Sequence, residues 1–129
     1  MKRRAASARL AAALCALPAA ALTPTRLRCE GMTDPLGVDL PQPRLSWALE
    51  SPERGAAQSA YRIQVARTPD ALARGEGDLW DSGRVDADAS QHIIYRGAPL
   101  ASSQQVFWRV CVWPGETWSA PATWTMGLL

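Results

Sequence analysis

Val106-Phe107-Trp108-Arg109-Val110-Cys111-Val112-Trp113 is the stretch that decides the fold. A β-strand turns successive side chains to opposite faces, so Val106, Trp108, Val110 and Val112 share one face and Phe107, Arg109, Cys111 and Trp113 the other. The first set is aliphatic and aromatic throughout, which predicts a strand pressed on a core. Working outward, the same period recurs in short runs. Leu45, Trp47 and Leu49 alternate with Ser46 and Ala48, and Tyr61, Ile63 and Val65 point inward within a strand over 59–67, with Arg62, Gln64 and Arg67 turned to the polar side. Further strands are predicted over 26–30, 79–82, 91–95 and 117–126, the last with Ala122, Trp124 and Met126 in phase.

Between these runs stand Pro, Gly, Asp and Ser. Asp34-Pro35-Leu36-Gly37 and Pro41-Gln42-Pro43 are predicted turns, because proline cannot donate to a ladder. One helical turn is expected after Thr68, with Thr68 as cap, Pro69 in the first position, Asp70 at the positive end and Gly75 as terminator. About seven strands with turn signals every 8 to 12 residues predict an all-β sandwich of immunoglobulin or fibronectin type III-like form. Trp47, Tyr61, Ile63, Val65, Trp108, Val110, Val112 and Trp124 are the expected core.

Residues 1–21 carry a different pattern. Lys2, Arg3, Arg4 and Arg9 form a basic head, an apolar run extends from Leu10 to Ala21, and Ala19-x-Ala21 is a small-residue cleavage signal, which together predict an export signal peptide. The run is shorter than the roughly 20 apolar residues a membrane anchor needs, so no stable anchor is expected, and the destination is the periplasm or the outside of the cell. Residues 22–129 would then form a single domain. That segment keeps ten Arg and no Lys against twelve acids, and its arginines are scattered singly along the chain, which argues against nucleic acid as a partner. Its two cysteines are not expected to pair, because Cys29 shares the face of Leu27 and points in while Cys111 points out.

No catalytic constellation emerges. Glu76, Asp78 and Asp81 are close in sequence, but they sit in a Gly-rich turn with nothing apolar to raise a pKa, and are read as solvated carboxylates. Asp86-x-Asp88-x-Ser90 starts like a calcium loop, yet the sixth position is Gln91 and the twelfth Gly97. His92 is the only histidine and no Cys-x-x-Cys occurs, so neither metal nor cofactor is expected. Phe107 and Trp113, off the core face of their strand, could cover a partner domain, contact sugar or pack under a loop, and Trp118 could stack on Arg109 or Arg62 across the sheet.

Several stretches taken together resemble the amino-terminal module of bacterial alpha-L-rhamnosidases. They are Leu27-Arg-Cys-Glu30 through Asp34-Pro-Leu-Gly-Val-Asp39, Pro41-Gln-Pro-Arg-Leu-Ser-Trp47, Ala60-Tyr-Arg-Ile-Gln-Val65, Gly77-Asp-Leu-Trp-Asp-Ser-Gly83, Phe107-Trp-Arg-Val110 and Trp124-Thr-Met-Gly-Leu-Leu129. The resemblance implies a fibronectin-like sandwich ahead of further domains, with the catalytic carboxylates of the inverting hydrolysis of terminal alpha-L-rhamnose carried on a helical toroid beyond Leu129. It implies packing against downstream domains of the same enzyme, with rhamnose-containing glycans as a secondary partner; a stand-alone carbohydrate-binding or adhesion domain is the alternative. Three departures stand out: Val106 replaces a tyrosine that ties down the preceding corner, Cys111 replaces an arginine, and the loop from Trp113 to Trp118 is short. The apolar ending Leu128-Leu129 predicts that this is the amino-terminal piece of a longer protein.

Overall fold

Alternating side chains build two stacked sheets. The computed structural model describes residues 22–51 and 57–129; the expected signal peptide, 1–21, lies outside them. In chain order the elements are β1 (Thr23–Cys29), β2 (Leu36–Val38), β3 (Arg44–Glu50), β4 (Ala60–Ala66), α1 (Pro69–Ala73), β5 (Trp80–Asp81), β6 (Ile93–Ile94), β7 (Gln105–Trp113), β8 (Thr117–Trp118) and β9 (Ala122–Met126). The smaller sheet has the order β1-β3-β6. The larger has the order β2-β9-β7-β4-β5, with β8 also paired to β7. All pairings are antiparallel except β2 with β9.

Among the described residues nine strands stand where about seven were expected, for two local reasons. Leu36–Val38, read as part of a turn, runs parallel to β9 and receives Gly127 N–H on the Val38 carbonyl at 2.7 Å. Three residues around a Gly37 at φ +78° carry too little pattern to announce a strand. The expected strand over 117–126 is broken in two. Ser119 turns inward there: its N–H donates to the Val110 carbonyl at 2.8 Å while its Oγ accepts from Val110 N–H at 3.1 Å, and Pro121 has no N–H to give. The strands expected over 79–82 and 91–95 shrink to two-residue ladders, the second following His92 at φ +58°. The helical turn forms around its cap, with Ala71 N–H donating to Thr68 Oγ1 at 3.2 Å.

The inner faces of the two sheets enclose one core. Trp47, Tyr61, Ile63, Val65, Trp108, Val110, Val112 and Trp124 are all buried in it, together with Leu45, Tyr95, Val106 and Met126. Its aromatic rings meet edge to face: Trp80 with Tyr95 at 5.5 Å, Tyr95 with Trp124 at 5.8 Å, and Trp124 with Trp108 at 6.3 Å. Buried Gln58 accepts the Trp47 indole N–H at 3.0 Å and donates to the Ala87 and Ala89 carbonyls, so the indole nitrogen costs little to bury. Val106 leaves the usual corner tie without its tyrosine. Tyr95 makes a bond of the same chemistry, its hydroxyl donating to the Ala98 carbonyl at 2.6 Å.

Candidate functional site

The outer face of the larger sheet gathers Phe107, Trp113 and Trp118, but it does not bring them into one patch. Residues paired across an antiparallel ladder share a face, so Phe107, Arg109, Cys111 and Trp113 of β7 stand with Ala66, Gln64, Arg62 and Ala60 of β4, and Trp118 of β8 stands opposite Cys111. Phe107 is half-buried against Ala66, Ala71 and Leu72, so helix α1 rests on it. Trp113 lies at the far end of the strand, under the Arg84 guanidinium at 4.7 Å. Trp118 lies between them and carries the Arg109 guanidinium 4.1 Å above its ring, a contact of roughly 0.5 to 2 kcal/mol by its partial burial.

From Arg109 a polar chain crosses the sheet. Its Nε and Nη2 both donate to Gln64 Oε1, at 3.0 and 2.9 Å. Gln64, almost fully buried, donates in turn to the Gly75 carbonyl at 3.1 Å and to Asp81 Oδ2 at 3.2 Å. Asp81 grips Arg62 through two bonds, 2.9 and 2.6 Å long, and accepts the Gly83 N–H at 3.0 Å. The Arg62 hydrogen bonds, with those of Gly83 and Gln64, hold the Asp81 carboxyl down to about 2 against the opposing effect of burial. Burial lowers the Arg109 pKa, and the guanidinium is held by an amide and a ring where an acid would be usual. The chain supports the sheet and leaves no group free to exchange a proton near neutral pH.

Two expectations need correction here. Asp81 is an ion-paired strand residue and not a solvated turn carboxylate, because two-residue β5 sets it beside Gln64 in the ladder. Asp78 is likewise engaged, accepting Arg67 N–H at 3.0 Å, while Glu76 pairs with Arg74 at 3.3 Å on the surface. Cys111 does face away from the core, yet it is fully buried, flanked in the sheet by Arg62 and Trp118. Parity reveals the face of a residue but not what roofs it. Cys29 and Cys111, the cysteines among the described residues, are free thiols, and burial raises them, Cys29 to about 12 and Cys111 to about 11. Among the described residues no group of three His, Cys, Asp or Glu side chains is placed to hold a metal ion, and no helix is long and apolar enough to cross a membrane. Gln58 escaped the sequence reading, and Gln64, placed correctly on the polar side of its strand, is buried there, which alternation alone does not announce.

A family model described as the Rha78A-like, N-terminal immunoglobulin domain matches residues 24–129. The chain belongs to this family. It is therefore the N-terminal immunoglobulin-like module of alpha-L-rhamnosidases, a non-catalytic module. An alpha-L-rhamnosidase of Streptomyces avermitilis is 41% identical over 113 residues, covering 84% of this chain and 11% of the relative. One from Formosa agariphila is 41% identical over 104 residues, with 78% and 11% covered. Among solved structures, the Streptomyces avermitilis alpha-L-rhamnosidase complexed with L-rhamnose superposes with a TM-score of 0.76 at 40% identity, covering 83% of this chain and 11% of that one. The alpha-L-rhamnosidase from Dictyoglumus thermophilum gives 0.77 at 33% identity, with 83% and 12% covered. This N-terminal immunoglobulin-like module thus spans about a ninth of the length of the relatives it matches.

Proposed function

We propose that the chain serves an exported alpha-L-rhamnosidase by packing against other domains of the same enzyme and holding their geometry, while the hydrolysis of terminal alpha-linked L-rhamnose takes place elsewhere in that enzyme. The observation that carries this is the match of residues 24–129 to the N-terminal module of enzymes some nine times longer. Its surface suits the role. At the edge formed by β2 and β9, Leu36 is 82% exposed and Leu128 85%, and the Gly37–Gly127 crossing that joins them is so close that a methyl group on Gly127 would lie 3.1 Å from the Gly37 carbonyl oxygen. Leucines this exposed along one sheet edge favour a covered surface. Export is inferred from the basic head and apolar run of residues 1–21.

The test is a chimera in which residues 22–129 replace the corresponding segment of the Streptomyces avermitilis enzyme. The chimera is expected to release rhamnose from p-nitrophenyl alpha-L-rhamnoside, the isolated chain to release none, and the pair Leu36→Glu and Leu128→Glu to lower the Tm of the chimera by several degrees. Rhamnose released by the isolated chain, or a Tm indifferent to both glutamates, would overturn the proposal.

A further inference from the structure

We propose that the outer face of the smaller sheet is a binding trough for an acidic saccharide, a sugar chain bearing carboxylates. The arginines that look scattered in the sequence converge here. β1 pairs with β3 through a bulge between Thr25 and Arg28, with Arg26 at φ +50°, and the irregularity leaves both Arg26 and Arg28 exposed. Arg28 pairs with Ser46 of β3, and Arg44 lies one step along the same face, since side chains two residues apart share it. Gln91 and His92, exposed in the bend before β6, close the rim.

Two depressions lie on this face. One of about 320 Å³ is lined by Arg28, Glu30, Arg44, Ser46, Gln91 and His92, among others. The second, of about 230 Å³, is lined by Arg26, Arg28, Ser46 and Gln91 over Trp47 and Ala48. They share Arg28, Ser46 and Gln91, so they form one trough, which suits an extended ligand better than a compact one.

Its charge separates it from the rest of the module. Glu30 is the one acid lining either depression, and it is already gripped by Arg44 through three bonds, two from the guanidinium at 2.9 and 3.2 Å and one from the backbone N–H at 2.5 Å. Arg26 and Arg28 form no ion pair with any described residue. The face is thus positive in a segment whose acids outnumber its bases. A guanidinium offers a planar fork that a carboxylate fills with two parallel hydrogen bonds. Beside it the Ser46 hydroxyl and the Gln91 amide make no hydrogen bond with any described residue, so they remain free for sugar hydroxyls. Ile94, partly exposed and paired with Arg44, adds an apolar contact for the C–H face of a ring. A nucleic acid would also find cations here, but single strands need aromatic platforms, and Trp47 beneath the trough is only 4% exposed. This face belongs to the other sheet from the leucine edge, so the trough stands whether or not the domain packing does.

Affinity electrophoresis of residues 22–129, free of the basic head at Lys2, Arg3, Arg4 and Arg9, through gels containing polygalacturonate, with dextran gels as the neutral control, tests the trough. Retardation by polygalacturonate alone is expected, weakening about tenfold in Arg28→Gln, the loss of one charge-assisted bidentate contact. It should also fall steeply as NaCl rises from about 0.05 M to about 0.3 M, as screening requires. Arg62→Gln, on the other sheet, should leave it unchanged, and circular dichroism of Arg28→Gln should show the native fold. Equal migration in both gels, equal retardation of Arg28→Gln, or tighter capture by single-stranded DNA of matched charge would overturn the assignment. The Tm of the leucine variants plays no part in this readout, so the two proposals fail separately.

Discussion

Asp81 receives four donors, two from Arg62 and one each from Gln64 and the Gly83 backbone, and this is the most consequential electrostatic feature of the larger sheet. Its pKa in the folded state lies below its ordinary value, at about 2. A depressed carboxylate contributes stability above its unfolded pKa, and that contribution is lost as pH falls through the folded value. The side chains are about a third exposed, so solvent screening reduces the full linkage value to about 1 kcal/mol. Asp81→Asn is therefore expected to lower stability by about 1 kcal/mol at pH 7 in urea titrations, with the gap to the native chain closing between pH 4 and pH 2. A gap that persists at pH 2 would show that the ion pair is not its source. Gln64 links this pair to Arg109, because its amide accepts from Arg109 and donates to Asp81 at once.

At the scale of elements, the segment from Tyr95 to Leu100 shows how a strand connection is fixed without a regular ladder. Tyr95 buries its ring between Trp80 and Trp124 and anchors its hydroxyl on Ala98, while Ala98 N–H donates to the Leu79 carbonyl at 2.8 Å. Burial lifts the Tyr95 phenol to about 12, so it stays a protonated donor well above neutral pH. Gly97 crosses directly over β5, where a methyl group would collide with Trp80 Cβ, the Leu79 carbonyl oxygen and the Tyr95 hydroxyl. Two of those three belong to backbone or to a Cβ that cannot swing away. Gly97→Ala is expected to cost about 2 to 3 kcal/mol, read as a Tm lower by roughly 10 °C or more, the upper end of overpacking effects. An unchanged Tm would mean that the loop has room to lift from β5. Neither the crossing nor the breakage of 117–126 into β8 and β9 could be read from the sequence. Both depend on which backbone lies alongside, and that neighbour is distant along the chain.

For the molecule as a whole, Cys29 and Cys111 report on cooperativity in the segment 22–129, which lacks the third cysteine, Cys15. Cys29 lies in the core between the sheets and Cys111 within the outer face of the larger one, each at most 1% exposed and each raised by burial. Thiolate is the reactive form, so Ellman's reagent should modify both only at the rate of global unfolding, with matching dependence on urea. Faster modification of Cys111 alone would reveal local opening of the sheet where β8 lies beside it. The sequence by itself determined the all-β class, the helical turn at Thr68 and the burial of Trp47, Trp108 and Trp124, because a two-residue period assigns faces wherever one side of a strand must leave water. It also supplied the Arg109–Trp118 pairing as one of two options. Tertiary structure alone decided that Cys111 is covered, that Asp81 is paired, that Leu36 joins a parallel edge, and that Arg26, Arg28 and Arg44 form one basic face. Those outcomes arise from contacts across strands and between sheets, whose register a linear pattern does not contain.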